Sequence, residues 1–155
     1  MSTYSPFSAK QLLPQEEKLE IAKHKSELFI GIPKETSYQE RRICLTPDAV
    51  SSLVSHGHRV MVECGAGKNA SFSDKDYSDA GAEVTHDTKK IFSCPIILKV
   101  EPPTLEEIEM MNMEAILISA IQLKTQKKEY FEAITKKKIT SLAFEFIKDS
   151  DGSYP

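Results

Sequence analysis

The protein has 155 residues and a mass of 17.4 kDa, which is the size of a single domain. Hydrophobic residues make up 40% of the chain and charged residues 28%, a composition typical of a globular protein and not of a disordered one. The formal net charge is -3, so we do not expect a binder of nucleic acid. The apolar runs are far shorter than the roughly 18 residues that a membrane span needs, so we do not expect membrane insertion.

The cysteines and histidines give no sign of a disulfide framework or a metal site. Cys44, Cys64 and Cys94 are odd in number and form no Cys-x-x-Cys pair. His56 and His58 are close together, but no third ligand is near them in the sequence, so no metal site is predicted. This use of cysteine fits a reducing compartment, and the first residues show no secretory signal, so we predict a cytoplasmic location.

The chain divides into an arm and a domain. Residues 1–27 begin with a polar stretch, and Pro14 then opens a charged segment with the composition of a helix. We predict an N-terminal helical arm over residues 1–27, which packs on the domain or on a neighbouring subunit. A single α/β domain is predicted over residues 28–155.

From residue 28 onward, short apolar runs alternate with segments that carry helix signals. The runs are typical of strands buried on both faces and cover residues 28–32, 60–62, 96–98, 115–118 and 142–147. Helices are predicted after the capping residues Thr46, Ser73 and Thr104, and over residues 126–136. This alternation predicts an α/β fold, Rossmann-like (flavodoxin-like), with a doubly wound and mainly parallel sheet.

Ligands of open parallel sheets bind beyond the carboxyl ends of the strands, so the residues that follow each strand are the candidates for a site. Arg41 and Arg42 follow the first strand, and a guanidinium there could grip a carboxylate bidentately; the alternative is a solvated arginine or one paired with Glu40. Lys99 and Glu101 end a later strand on one face. With Arg42 they could surround a small anion, or they could form a structural ion pair.

The sequence Gly65-Ala66-Gly67-Lys68-Asn69-Ala70 matches the dinucleotide pattern Gly-x-Gly-x-x-Gly/Ala. That pattern requires its last small residue in the opening turn of a helix, whereas here the helix is predicted to begin only after Ser73. The sequence therefore favours a tight turn, and we predict no cofactor-binding residue in this chain.

A series of motifs resembles the N-terminal domain of the alanine dehydrogenase and pyridine nucleotide transhydrogenase family. The motifs lie in order at residues 30–36, 40–47, 57–60, 62–67, 80–82, 98–100 and 139–145. The resemblance implies a Rossmann-like domain that holds the substrate of a two-domain NAD oxidoreductase, which deaminates L-alanine to pyruvate and ammonium. It also implies a small amino or keto acid as ligand, a homo-oligomer, and NAD bound mainly by a second domain that this sequence lacks.

The resemblance also places the family's functional residues on this sequence. Arg42 falls on the arginine that binds the substrate carboxylate, whereas the position of the catalytic lysine is Glu101 and that of the catalytic histidine is near Gln122. A glutamate removes a cation that would stabilise developing negative charge, and glutamine cannot exchange a proton near pH 7. Family members continue beyond Pro155, so we expect this chain to be one domain of a longer protein and to be inactive alone.

Three hypotheses follow from these departures. In the first, Lys99 substitutes for the missing lysine and also binds substrate, so Lys99→Ala in the full-length protein should lose far more activity than Lys124→Ala. In the second, the chain belongs to a transhydrogenase alpha-subunit-like or diverged relative without alanine dehydrogenase activity. In the third, it is a non-catalytic assembly domain.

Overall fold

The computed structural model describes residues 27–37, 39–149 and 152, and the predicted arm lies outside them except for its last residue. The sheet of the described residues has six parallel strands in the order β3-β2-β1-β4-β5-β6. The strands are β1 (Phe29–Ile32), β2 (Arg59–Glu63), β3 (Glu83–Thr85), β4 (Ile96–Leu98), β5 (Ile116–Ser119) and β6 (Thr140–Ala143). This is the strand order of the Rossmann fold, and the predicted fold class is confirmed.

Helices connect successive strands. They are α1 (Pro47–Ser55), α2 (Asp74–Asp79), α3 (Thr88–Phe92), α4 (Leu105–Met110) and α5 (Lys128–Lys136), with 3-10 turns at Lys68–Ala70 and Phe144–Phe146. The predicted capping residues are in place: the Thr46 hydroxyl accepts from the Ala49 amide, and Ser73 and Thr104 each form a capping box. Within the described part of the chain, no helix has both the length and the apolar character that a bilayer span requires.

The structure differs from the predictions at its edges. Strand β3 and helix α3 were not predicted, because a three-residue strand and a five-residue helix give little periodicity. The predicted strand over residues 142–147 was wrong, since β6 ends at Ala143 and a 3-10 turn follows. The Glu145 carboxylate accepts the amides of Ile121 and Gln122 at 2.8 and 2.9 Å, which holds this segment in the turn.

The burial predicted for that last run was also wrong. Strand β6 lies at the edge of the described sheet and pairs only with β5, and none of its four residues is fully buried. Leu142 is 50% exposed and Phe146 is 55% exposed. Helix α5 also begins two residues later than predicted, at Lys128.

Side chains alternate between two cores, one on each face of the sheet. In β2, Val60 and Val62 point to the core under α1 and α2, whereas Met61 points to the core under α3, α4 and α5. Tyr77 anchors the first core: it is fully buried, and its hydroxyl donates to the Leu45 carbonyl at 2.8 Å. Each face of the sheet is therefore covered by its own hydrophobic core.

Gly31 in the middle of β1 allows α3 to approach the sheet closely. A Cβ atom at this position would lie 2.6 Å from the Ile91 carbonyl oxygen and 3.1 Å from the Cys94 Cβ. Because the first of these is a backbone atom, the helix would have to move. We expect Gly31→Ala to lower the free energy of unfolding by about 1–3 kcal/mol, measured by urea denaturation. Gly57→Ala tests the cost of backbone strain alone. A Cβ atom there would meet nothing within 4 Å, but the φ of 87° is unfavourable for alanine.

Candidate functional site

Two buried charges meet where the connections from β1 and β4 leave the sheet in opposite directions. Glu35 follows β1, and one of its carboxylate oxygens lies 3.1 Å from the Lys99 ammonium at the end of β4. The other oxygen accepts the Val100 amide at 2.6 Å. This point between β1 and β4 is the switch point of the sheet order, which is where open α/β sheets bind their ligands.

Lys99 is enclosed between two carboxylates. Its side chain is 1% exposed, and its ammonium lies 3.4 Å from a carboxylate oxygen of Glu107 as well as near Glu35. The same Glu107 oxygen accepts the Thr104 amide at 2.8 Å, so it also caps α4. Lys99 therefore forms a structural ion pair, but with Glu35 and Glu107 and not with Glu101, the neighbour considered in the sequence. A buried ammonium requires such partners.

Arg42 lies in the connection between β1 and α1 and is paired with Glu40. The Nε and Nη2 atoms of Arg42 donate to the two carboxylate oxygens of Glu40 at 2.9 and 2.6 Å, and the Arg42 amide donates to the same group at 2.7 Å. The Glu40 side chain is 6% exposed, whereas that of Arg42 is 75% exposed. The structure therefore shows the alternative given in the sequence analysis, an arginine paired with Glu40 and exposed to solvent, whereas binding of a ligand carboxylate by Arg42 stays a prediction.

The pair shifts both ionisation equilibria. Hydrogen bonds from the Arg42 side chain lower the pKa of the Glu40 carboxyl to about 2. The Glu40 carboxylate raises the pKa of the Arg42 guanidinium, and the charges of Glu101 and Glu35 raise it further. Both groups are therefore charged throughout the physiological range, and Glu101 contributes to the field at Arg42.

Arg42 and Lys99 line one cavity of about 330 Å³ beside the carboxyl ends of β4 and β5. Its other lining residues are mostly apolar: Ile43, Cys44, Leu45, Leu98, Val100, Ile118 and Phe144. Burial raises the pKa of the Cys44 thiol to about 12, so this cysteine remains protonated and is not a nucleophile at neutral pH. A cavity with apolar walls and an arginine at its mouth suits a small molecule that has a carboxylate and a short apolar body.

Gln122 follows β5 at the same edge of the sheet but contributes differently. Its φ of 52° is in the left-handed region, and its amide is bound by the Glu145 carboxylate. Gln122 is exposed and is not among the described residues that line the Arg42 cavity. Of the residues predicted for the site, the fold thus brings Arg42 and Lys99 to one cavity and leaves Gln122 beside it.

Arg41 lines a second cavity of about 460 Å³, with Glu35, Thr36, Ser37 and Asn69. It differs from its neighbour Arg42 in having no carboxylate partner within hydrogen-bonding distance among the described residues. Glu35 lines this cavity and also contacts Lys99, at 3.1 Å. Arg41 is therefore the natural comparison for any role assigned to Arg42.

The glycine turn after β2 does not fit a dinucleotide pyrophosphate. The Gly65 amide, which would face such a group, donates to the Asp74 carboxylate at 2.7 Å, and the Cys64 thiol donates to the same group at 2.8 Å. A carboxylate therefore already occupies the position of an anion at this turn. Helix α2 begins only at Asp74 and has six residues, so it does not open where the dinucleotide pattern requires a helix.

The three cysteines are free thiols, and each lies in a different part of the fold. Over residues 27–37 and 39–149, the structure brings together no group of three histidine, cysteine, aspartate or glutamate side chains that could hold a metal ion.

Two site residues were missed in the sequence. Glu107 was not predicted as a site residue, although its carboxylate contacts Lys99 as well as capping α4. Glu35 was passed over in the connection after β1, although it joins that connection to β4. The one available signal was that a buried lysine at a strand end needs carboxylate partners, and Glu35 lies three residues after the neighbouring strand β1.

Comparison with known proteins agrees with this geometry. The family described as "Alanine dehydrogenase/PNT, N-terminal domain" matches residues 31–155, which is most of the chain. The chain belongs to this family. Its residues are 36% identical over 122 positions to the alanine dehydrogenase of Bacillus subtilis (strain 168), and 35% identical over 129 positions to that of Methanococcus maripaludis. These matches cover 79% and 83% of this chain.

Solved structures of the family have the same fold. An L-alanine dehydrogenase superposes with a TM-score of 0.78 at 34% identity and covers 83% of this chain. The transhydrogenase from Sinorhizobium meliloti superposes with a TM-score of 0.70 at 29% identity and covers 77% of it. The family thus includes both enzyme classes. The chain spans about a third of the length of these relatives: 32% of the B. subtilis protein and 35% of either solved chain.

Proposed function

We propose that this domain is the substrate side of an NAD-dependent alanine dehydrogenase-like oxidoreductase and that Arg42 binds the carboxylate of a small amino or keto acid. The observation that carries the proposal is the exposed guanidinium of Arg42 at an apolar cavity next to the switch point of the sheet. Arginine donors match the geometry of a carboxylate, and the cavity walls suit a short apolar body. The chain's membership of the alanine dehydrogenase family also supports a small amino or keto acid as the ligand.

We assign different roles in ligand binding to different residues of the cavity. Arg42 holds the carboxylate, while the apolar side chains of Leu98, Ile118 and Phe144 exclude water around the rest of the ligand. Lys99 lines the same cavity but has its charge balanced by Glu35 and Glu107, so its direct role is to keep the ends of β1 and β4 together. Direct substrate binding by Lys99 stays a hypothesis.

We assign NAD to a second domain of a longer protein, as the resemblance to the family implies. The glycine turn of this domain does not fit the pyrophosphate, and we assign no hydride transfer or proton transfer to its residues. Glu101 and Gln122, at the family's lysine and histidine positions, supply neither a cation nor an exchangeable proton near pH 7. The domain alone is expected to bind substrate without turnover, in a cytoplasmic protein that forms a homo-oligomer.

A titration followed by backbone amide NMR tests this proposal on the 155-residue chain itself. Pyruvate and L-alanine are added separately, and acetate serves as a carboxylate without the rest of the substrate. We expect saturable shifts at residues 40–45 and 98–101, with dissociation constants on the order of millimolar because only one half of the site is present. Equal, unsaturable shifts with all three ligands, or shifts confined to other parts of the domain, would refute it.

The second candidate function is that of a transhydrogenase-like relative that does not deaminate alanine. The departures at Glu101 and Gln122 and the structural similarity to the S. meliloti protein favour it. In that case the NMR titration should give no saturable response to pyruvate or L-alanine. Activity with L-alanine and NAD in the longer protein would rule this candidate out.

A further inference from the structure

We propose that Glu40 is the positioning residue of the carboxylate site: it fixes the guanidinium of Arg42 so that its outer edge faces the ligand. This inference rests on the proposed function, because it assigns a role to Glu40 only through Arg42. Glu40 would not touch the ligand, and its effect would be on how well Arg42 binds.

The geometry leaves one edge of the guanidinium free. A guanidinium has five N–H donors, and Glu40 takes the one on Nε and one on Nη2. Two donors on Nη1 and one on Nη2 remain, and these form the end of the fork. A carboxylate can accept from that end through two parallel hydrogen bonds, without displacing Glu40.

The burial of the two partners makes Glu40 the fixed member of the pair. Glu40 is 6% exposed, and its carboxylate is further tied by the Arg42 amide at 2.7 Å. Arg42 is 75% exposed, so without a partner its long side chain would sample many rotamers in solvent. A buried anchor therefore holds an exposed arginine in one orientation, which lowers the entropy that binding has to remove.

Glu40 also opposes binding, because its negative charge lies near that of the ligand. The two carboxylates would be on opposite edges of the guanidinium, whose positive charge lies between them and whose side chain is 75% exposed. We therefore expect the repulsion to change the affinity by less than a factor of about three. Fixing an arginine side chain is worth a factor of about ten or more. Positioning is therefore expected to outweigh repulsion.

The test compares the pyruvate affinities of five variants with that of the unmodified chain by NMR, each calculated for the folded fraction of the protein. Glu40→Gln keeps the size of the side chain but cannot accept both guanidinium bonds, and we expect it to weaken pyruvate binding by about 3- to 10-fold. Glu40→Asp keeps the carboxylate and should recover part of this loss. Glu132→Gln, on the exposed side of α5, makes the same change in charge and should leave the affinity within twofold.

A fourth comparison separates positioning from a general structural effect. An ammonium needs no orientation in a plane, so in an Arg42→Lys background Glu40→Gln should not weaken pyruvate binding at all. A loss of affinity in both backgrounds would overturn the proposal, as would unchanged or tighter binding by Glu40→Gln alone. If the unmodified chain does not bind pyruvate, the proposed function fails and the role of Glu40 fails with it, whereas pyruvate binding that is insensitive to Glu40 refutes this inference only.

Discussion

Replacing Arg42 with alanine is expected to weaken pyruvate binding by about 10- to 100-fold, since charge-assisted hydrogen bonds to a carboxylate contribute about 1.5–3 kcal/mol. The pyruvate affinity of Arg42→Lys should lie between those of the unmodified chain and Arg42→Ala, because lysine keeps the charge but lacks the planar guanidinium. The affinities are measured by NMR titration of each variant with pyruvate.

The adjacent arginine supplies a matched control for this prediction. Arg41 is exposed, carries the same charge and lines a different cavity. We expect Arg41→Ala to change pyruvate affinity by less than about twofold, because a surface charge acts only through a screened field. A larger loss with Arg41→Ala than with Arg42→Ala would show that the second cavity, and not the one beside β4 and β5, is the ligand site.

Replacing Lys99 with methionine is expected to lower the free energy of unfolding by about 3–5 kcal/mol, because it leaves two buried carboxylates without their cation. Glu35 and Glu107 lie 3.1 and 3.4 Å from the Lys99 ammonium, and the lysine side chain is 1% exposed. Urea denaturation measures the change. The triple variant with Glu35→Gln and Glu107→Gln removes all three charges and should recover most of the loss.

An exposed ion pair provides the control for Lys99. Lys128 lies 2.9 Å from Glu132 on α5, but both side chains are more than half exposed. Lys128→Met should therefore cost less than about 1 kcal/mol. If Lys99→Met costs no more than Lys128→Met, the buried cluster does not stabilise the domain as we describe.

This expectation also changes how the catalytic hypothesis for Lys99 is tested. A variant that unfolds loses activity whatever the chemical role of the replaced residue. The activities of Lys99→Ala and Lys124→Ala in the longer protein must therefore be compared per folded molecule. Equal activities on that basis would end the hypothesis that Lys99 replaces the family's lysine. A selective loss with Lys99→Ala would extend its role from structure to substrate.

The sequence predicted the centre of the fold well and its edges poorly. Strands β1, β2, β4 and β5 each contain a short apolar run, and the helices after Thr46, Ser73 and Thr104 begin with side chains whose capping bonds are local. Local signals of this kind can be read from a sequence. Strand β3 has three residues, and the end of β6 depends on Glu145 binding the chain after β5, a contact across 24 residues that no local pattern contains.

The site was predictable in location but not in its pairings. Candidate residues were chosen because they follow strands, and the fold does bring Arg42 and Lys99 to one cavity. The partners of Lys99 come from positions 64 residues before it and eight residues after it, and they meet only once β1 and β4 are neighbours. Spacing along the chain suggested Glu101 instead, because strand periodicity describes a face and not the neighbouring strand.

The guanidinium resonances of Arg42 test the central claim most directly. The sequence has three arginines, at positions 41, 42 and 59, so the side-chain spectrum is simple and can be assigned from single Arg→Lys variants. On addition of pyruvate, we predict saturable changes at the Nη atoms of Arg42, smaller changes at its Nε atom, which stays bonded to Glu40, and none at the other two arginines. Changes at Arg41 or Arg59 with Arg42 unaffected would contradict the assignment of the carboxylate site.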